Sequence, residues 1–101
     1  MRVILSRNAA AYIRRECAYL EEFNPRAARR VAEQFQKAIR LLAQYPEIGE
    51  PLSLPGRRRF VSGVYVIDYV REKSRLVISH IRHGKQAEPD LAKDAEIQGQ
   101  A

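Results

Sequence analysis

Two histidines, His80 and His83, are the only side chains in this 101-residue sequence whose ordinary pKa lies near neutrality. The sequence also supplies candidate cations: Arg57, Arg58, Arg59, Arg82 and Lys85. Guanidinium and ammonium groups gather around phosphates and carboxylates, and a histidine among them can move a proton. The spacing limits that chemistry. Residues three apart on a strand point to opposite faces, so the two imidazoles do not form a pair unless the strand is irregular. Cys17, the one cysteine, is distant in sequence and completes no credible metal site with them. No Ser/His/Asp set stands out, because the serines fall in turns and strands without motif context. Gly56, Gly63 and Gly84 are isolated, so no phosphate-cradling loop is visible. The basic residues lack interleaved exposed aromatics, which argues only weakly for single-stranded nucleic acid.

The position of the charge carries more information than its total. The chain has a formal net charge of +6. Residues 57–86 hold eight cations, namely Arg57, Arg58, Arg59, Arg71, Lys73, Arg75, Arg82 and Lys85, against Asp68 and Glu72, which equals that whole excess. The last fifteen residues hold one cation against four acids. A focused positive field suits an anionic partner, and the alternative is an ordinary solvated surface. Apolar residues make up 46% and charged residues 30%, the composition of a soluble globular chain long enough for one domain. No apolar run approaches the roughly 18 residues that suggest a membrane span. The apolar run in MRVIL is too short for a signal peptide, and Arg7 follows it. A single cysteine permits no internal disulfide, and a reducing cytoplasm is the expected compartment.

The elements that must position these residues follow from periodicity. Met1 to Leu5 reads as a short strand. Ser6 then caps a helix over about 7–23, with Ala9, Ile13, Cys17 and Leu20 on one face, widened by Tyr12, Tyr19 and Phe23. Cys17 lies on that face and reads as a buried small hydrophobe, not a nucleophile. Asn24 caps a second helix, with Pro25 at its first position. Its stripe is Ala28, Val31, Phe35, Ala38, Ile39 and Leu42, and Tyr45-Pro46 ends it. Pro46 to Gly56 holds three prolines and two glycines and reads as a loop. Three strands follow, over about 58–61, 64–70 and 75–83, joined by short turns into an antiparallel meander. The middle one is apolar on both faces, which predicts a central position. The expected fold is α+β: an antiparallel sheet of about four strands, in the order β-α-α-β-β-β, with the helical hairpin on one face. Residues 1–86 form the domain. Residues 87–101 are a polar tail that admits a short helix from Pro89 onward.

The hairpin, the "YPEIG" helix exit, the "YVIDY" strand and the closing "IRHGKQ" together resemble the RelE/ParE superfamily of bacterial toxins. The closing motif, Ile81 to Gln86, is nearest to the ParE branch. The resemblance covers about residues 3 to 86 and rests on the ordered set of motifs. It implies the toxin of a type II toxin–antitoxin pair, neutralised by direct binding of a ParD-like antitoxin. ParE relatives are associated with poisoning of DNA gyrase, whereas RelE relatives cleave messenger RNA on the ribosome. The expectation includes no cofactor, no metal and no membrane partner, with DNA contacted only through the antitoxin complex. Fold does not decide between the two activities.

An RNase of this kind needs a base for the 2′-hydroxyl, an acid for the leaving oxygen and cations around the phosphate. Cations are abundant, but acid–base groups are scarce. Tyr65 and Tyr69 share the apolar face of their strand and read as core. His83 is the one catalytic candidate, and its other reading is a hydrogen-bonded residue at a strand end. The favoured expectation is therefore a toxin that acts by binding. Arg57, Arg58, Arg59, Arg82, His83 and Lys85 would form its basic surface toward target or antitoxin, and Tyr12, Tyr19 and Phe23 its apolar contact with the antitoxin. The alternative is a metal-independent, ribosome-dependent endonuclease.

Overall fold

The computed structural model describes residues 1–85. Strand β1 (Arg2–Leu5) leads into helix α1 (Arg7–Phe23), and helix α2 (Pro25–Gln44) follows after one residue. Strands β2 (Glu50–Pro51), β3 (Arg57–Ser62), β4 (Tyr65–Glu72) and β5 (Arg75–His83) complete the described residues. Caps fix both helix starts. Ser6 Oγ accepts from Ala9 N at 3.1 Å, and Asn24 Oδ1 accepts from Ala27 N at 3.2 Å. Asn24 also closes α1, its N–H donating to Leu20 O at 2.7 Å, so one residue turns the chain between two helices.

The sheet differs from expectation in two ways. It has five strands, in the order β1-β5-β4-β3-β2, not about four. It is also mixed, because β1 lies parallel to β5 while the other pairs are antiparallel. Carrying the chain back across a helical hairpin brings β1 beside β5 in the same direction. The extra strand, β2, lies inside the Pro/Gly-rich loop, where two residues pair with Arg58 and Arg59. As expected, β4 is central, and both helices pack on the face that carries Tyr65, Ile67 and Tyr69. The expected C-terminal helix and the tail from residue 87 lie outside the described residues.

The core joins Ala9 of α1 and Phe35, Ala38 and Leu42 of α2 to Tyr65, Ile67, Tyr69, Leu76, Ile78 and Ile81 of the sheet. Ile78 and Ile81 are three apart, yet both face the helices. The register explains this: Asp68 pairs with His80 and Tyr69 with Ile78, leaving Ser79 as an extra residue, a β-bulge. Ser79 is held from several sides. Its carbonyl accepts from Ser6 Oγ at 2.8 Å, and its own hydroxyl donates to Asp68 O at 3.2 Å.

The helix exit is tied to the sheet with equal care. The Tyr69 hydroxyl donates to Pro46 O at 2.8 Å and accepts from Gly49 N at 2.9 Å. Arg58 donates to Glu47 O at 3.2 Å and Gly49 O at 2.8 Å. A Cβ on Gly49 would lie 2.7 Å from the Tyr69 ring and hydroxyl and 2.9 Å from Arg59 O, so this approach requires glycine. The "YPEIG" and "YVIDY" motifs are thus two halves of one contact. Removing the hydroxyl in Tyr69→Phe leaves a buried N–H and a carbonyl without it, an expected loss of about 1–3 kcal/mol in urea unfolding. Gly49→Ala should also destabilise. Because both changes break the same contact, the double variant should lose clearly less than the sum of the two.

Candidate functional site

Strand alternation divides the basic residues into separate groups. In β3, Arg57 and Arg59 point to the face away from the helices, while Arg58 shares the helix face with its cross-strand neighbour Tyr69. Arg82 lies opposite Val66 and His80 opposite Asp68, both on the far face. His83 lies opposite Tyr65, on the helix side. The two histidines are therefore on opposite faces; the bulge falls before His80 and leaves the segment between them regular.

The far face carries a polar cluster around Asp68, which is 2% exposed. Arg59 Nε and Nη2 donate to its two carboxylate oxygens at 2.7 and 3.1 Å, a forked ion pair. Arg57 Nη1 donates to Ser79 Oγ at 3.4 Å, and His80 Nδ1 lies 3.1 Å from the same hydroxyl. Arg58 is committed to the α2 exit loop. Much of the positive charge counted in the sequence is thus built into the fold.

At the other side of the sheet's end, α1 and the close of β5 form a groove of 460 Å³ lined by Tyr12, Arg15, Glu16, Tyr19, His83 and Lys85. Its floor is aromatic: the Tyr65 ring packs edge-on against Tyr12 at 6.3 Å and against His83 at 6.0 Å. The Tyr65 hydroxyl donates to Glu16 Oε2 at 2.6 Å. His83 Nδ1 accepts from Lys85 N at 3.2 Å. Glu16 and Arg15 were not singled out in the sequence. The available signal was helical spacing, since Glu16 falls four residues after Tyr12 and three before Tyr19.

Tyr12 is half-buried against this floor, whereas Tyr19 and Phe23 are 60% and 69% exposed. One helical turn apart, their rings pack at 4.9 Å. Cys17, expected to be buried, is only partly so. Burial, and then the neighbouring Glu16, pushes its thiol pKa up, away from thiolate chemistry.

Burial likewise raises the phenol pKa values of Tyr12, Tyr65 and Tyr69, and for Tyr65 the hydrogen bond to Glu16 adds to it. Unfolded tyrosines release their protons near the ordinary value of 10.0, while the folded groups retain theirs. The folded state then binds more protons, so stability should hold below about pH 10 and fall as pH rises beyond it. Unfolding followed by tyrosinate absorbance should show this decline. Tyr65→Phe should make it shallower while costing about 1.5–3 kcal/mol at neutral pH through the lost bond to a carboxylate.

Comparison with known proteins agrees with this architecture. Residues 3–88 match the family described as the ParE toxin of the type II toxin–antitoxin system parDE. A solved structure described as the chromosomal ParDE TA system from P. aeruginosa superposes with a TM-score of 0.71 at 18% identity, covering 82% of this chain and 95% of that one. At that identity the likeness is one of fold. Comparison with curated proteins finds no match. With the family pattern running through nearly all of the hairpin and sheet, the chain belongs to the ParE toxin family of type II toxin–antitoxin systems.

Proposed function

We propose that this toxin is neutralised by a ParD-like antitoxin that lies across α1, with the stacked Tyr19 and Phe23 as its apolar anchor and the His83–Lys85 groove as its polar margin. The observation that carries this reading is the exposed aromatic pair beside an aromatic-floored groove. Large aromatic side chains on a rigid helix lose little freedom when covered, and such residues dominate binding energies. Grooves of this kind commonly receive an amphipathic helix. Acidic residues on the antitoxin would meet Arg15 and Lys85.

Toxicity itself is read as binding, with DNA gyrase as the target that the family resemblance implies. The arrangement of acid–base groups supports this. His80 and His83 cannot act on one substrate atom from opposite faces, and the phenols near His83 have pKa values pushed upward. Arg57 and Arg82 on the far face are the candidate target contacts. Arg58 holds the α2 exit loop, so reversing its charge would test stability first. One feature favours the second reading, an mRNA endonuclease: His83 lies in a groove with Glu16, Arg15 and Lys85.

The test is growth inhibition after induction, with parallel assays of DNA breaks and mRNA integrity. His83→Ala should retain toxicity, whereas Arg57→Glu with Arg82→Glu should remove it in a chain that still folds and binds antitoxin. Tyr19→Ser with Phe23→Ser should weaken antitoxin binding by on the order of 10²–10³-fold with little change in thermal stability. Codon-specific mRNA cleavage abolished by His83→Ala would replace the gyrase reading with the endonuclease.

A further inference from the structure

The opposite end of the sheet carries a second concavity. Tyr65 pairs with His83 at one end of the β4–β5 ladder and Glu72 with Arg75 at the other, so the two ends lie roughly 20–25 Å apart. Helix α2 runs toward that second end, from Phe35 against the Tyr65 ring to Ala43, about 12 Å further along its axis, whose carbonyl accepts from the Met1 amino group. Where α2 ends, Leu41, Tyr45, Pro46 and Ile48 line a groove of 580 Å³, and Gln44, Glu47 and Arg71 complete its lining. That volume is in the range of clefts that hold ligands.

The lining is mainly apolar, part of it is exposed, and it is fixed in place. Tyr45 is 53% exposed and Ile48 45%. The backbone that carries them is locked from beneath by the Tyr69 hydroxyl on Pro46 and Gly49 and by Arg58 on Glu47 and Gly49. A groove set in advance loses little freedom when filled.

Charge indicates what fills it. Arg71 contacts Glu47 at 3.4 Å in an exposed pair, with half of the Arg71 side chain open to solvent. Such a pair is worth little and exchanges readily. Arg2 stands beside Arg75 in the β1–β5 register, and Lys73 occupies the adjoining turn. All are exposed, as is Arg71, and although Glu72 holds Arg75 at 3.0 Å, the four cations outnumber the acids Glu47 and Glu72 at this end of the sheet. A second copy of the chain would bring the same positive field against itself. Nucleic acid would leave the apolar walls unused.

We propose that this groove is a second docking surface, which takes a bulky apolar side chain from an acidic segment of a partner protein, a carboxylate of that segment replacing Glu47 on Arg71. The site is separate from the α1 surface and is independent of which target the toxin acts on. It stays accessible when a partner covers Tyr19 and Phe23.

The probe is a blocked hexapeptide with tryptophan and leucine flanked by two carboxylates on each side, titrated into the isotope-labelled full chain and followed by NMR. Its controls are the same peptide with lysines for the carboxylates and one with glycine and serine for the apolar pair. The expected result is saturable shifts at Tyr45, Ile48 and Arg71 with the acidic apolar peptide, and at least about tenfold weaker binding of each control. Tyr45→Ser and Arg71→Glu should each weaken the acidic peptide by about tenfold while Tyr19→Ser leaves it unchanged. Both altered side chains are exposed, and Ile48→Ser replaces Tyr45→Ser if that variant does not fold. Equal binding of the lysine peptide, shifts centred on Tyr19 and Phe23, concentration-dependent self-association through Tyr45, or competition by an RNA oligonucleotide would each overturn the proposal.

Discussion

The extra residue in β5, Ser79, decides which side chains face which way. A regular strand would send Ile78 and Ile81 to opposite faces; the bulge turns both into the core, at 0% and 8% exposure. The same residue gives α1 its seat. Ser6, the cap of that helix, donates its N–H to Ile78 O at 2.9 Å and its hydroxyl to Ser79 O at 2.8 Å. Helix position, core composition and the orientation of His83 toward α1 therefore descend from one irregular backbone step. Bulges re-aim side chains near the ends of strands, and this one brings the imidazole beside Tyr65 and Tyr12.

The far face shows why a charge count is a poor map of a charged surface. Three consecutive arginines, 57 to 59, look like one patch in the sequence. Alternation gives them three employments. Arg59 neutralises a buried carboxylate, Arg58 straps the α2 exit loop, and Arg57 reaches the hydroxyl of the bulge. A buried forked pair such as Arg59–Asp68 is weak evidence for net stability, because desolvation opposes attraction, yet losing one partner strands the other. The cationic character of the strands serves the fold as well as any partner.

Fold class was legible because its signals are local. Helix caps, proline positions and period-3.6 stripes placed 7–23 and 25–44 within a residue, and turn spacing placed the meander. The fifth strand was not legible. Two residues, Glu50 and Pro51, carry no period, and they pair only because the Tyr69 clamp brings the loop alongside β3. Parallel pairing of β1 was missed for a related reason: it depends on where the hairpin returns the chain. At the site, Tyr19 and Phe23 are exposed because they lie beyond Ala9, Tyr12 and Ile13, the α1 residues that pack into or against the core. Glu16 escaped notice because its significance lies in Tyr65, 49 residues away, whose hydroxyl reaches it.

Among the described residues, all the exposed large apolar side chains except Met1 fall in pairs. Tyr19 and Phe23 pack on each other, Tyr45 and Ile48 flank one groove, and Val61 and Val64 flank the Gly63 turn. Single exposed hydrophobes are ordinary on any surface. Pairs on immobilised supports have a different origin. Gly63, at φ +59°, is held against α2 by Gln34, which donates to Ser62 O at 2.8 Å, and a Cβ there would meet the Gln34 amide at 2.4 Å. The α2 exit is held by Tyr69 and Arg58, and α1 by its cap on the bulge. In each case polar contacts made by buried or half-buried side chains fix a backbone whose apolar side chains then face outward. A core short of volume would draw such residues inward; here the core positions are already filled by Phe35, Leu42, Ile67, Tyr69 and Leu76, each at most 2% exposed. The rigid framework and the outward-facing pairs are thus two consequences of the same polar contacts, which hold these segments firmly enough for their apolar side chains to remain on the surface.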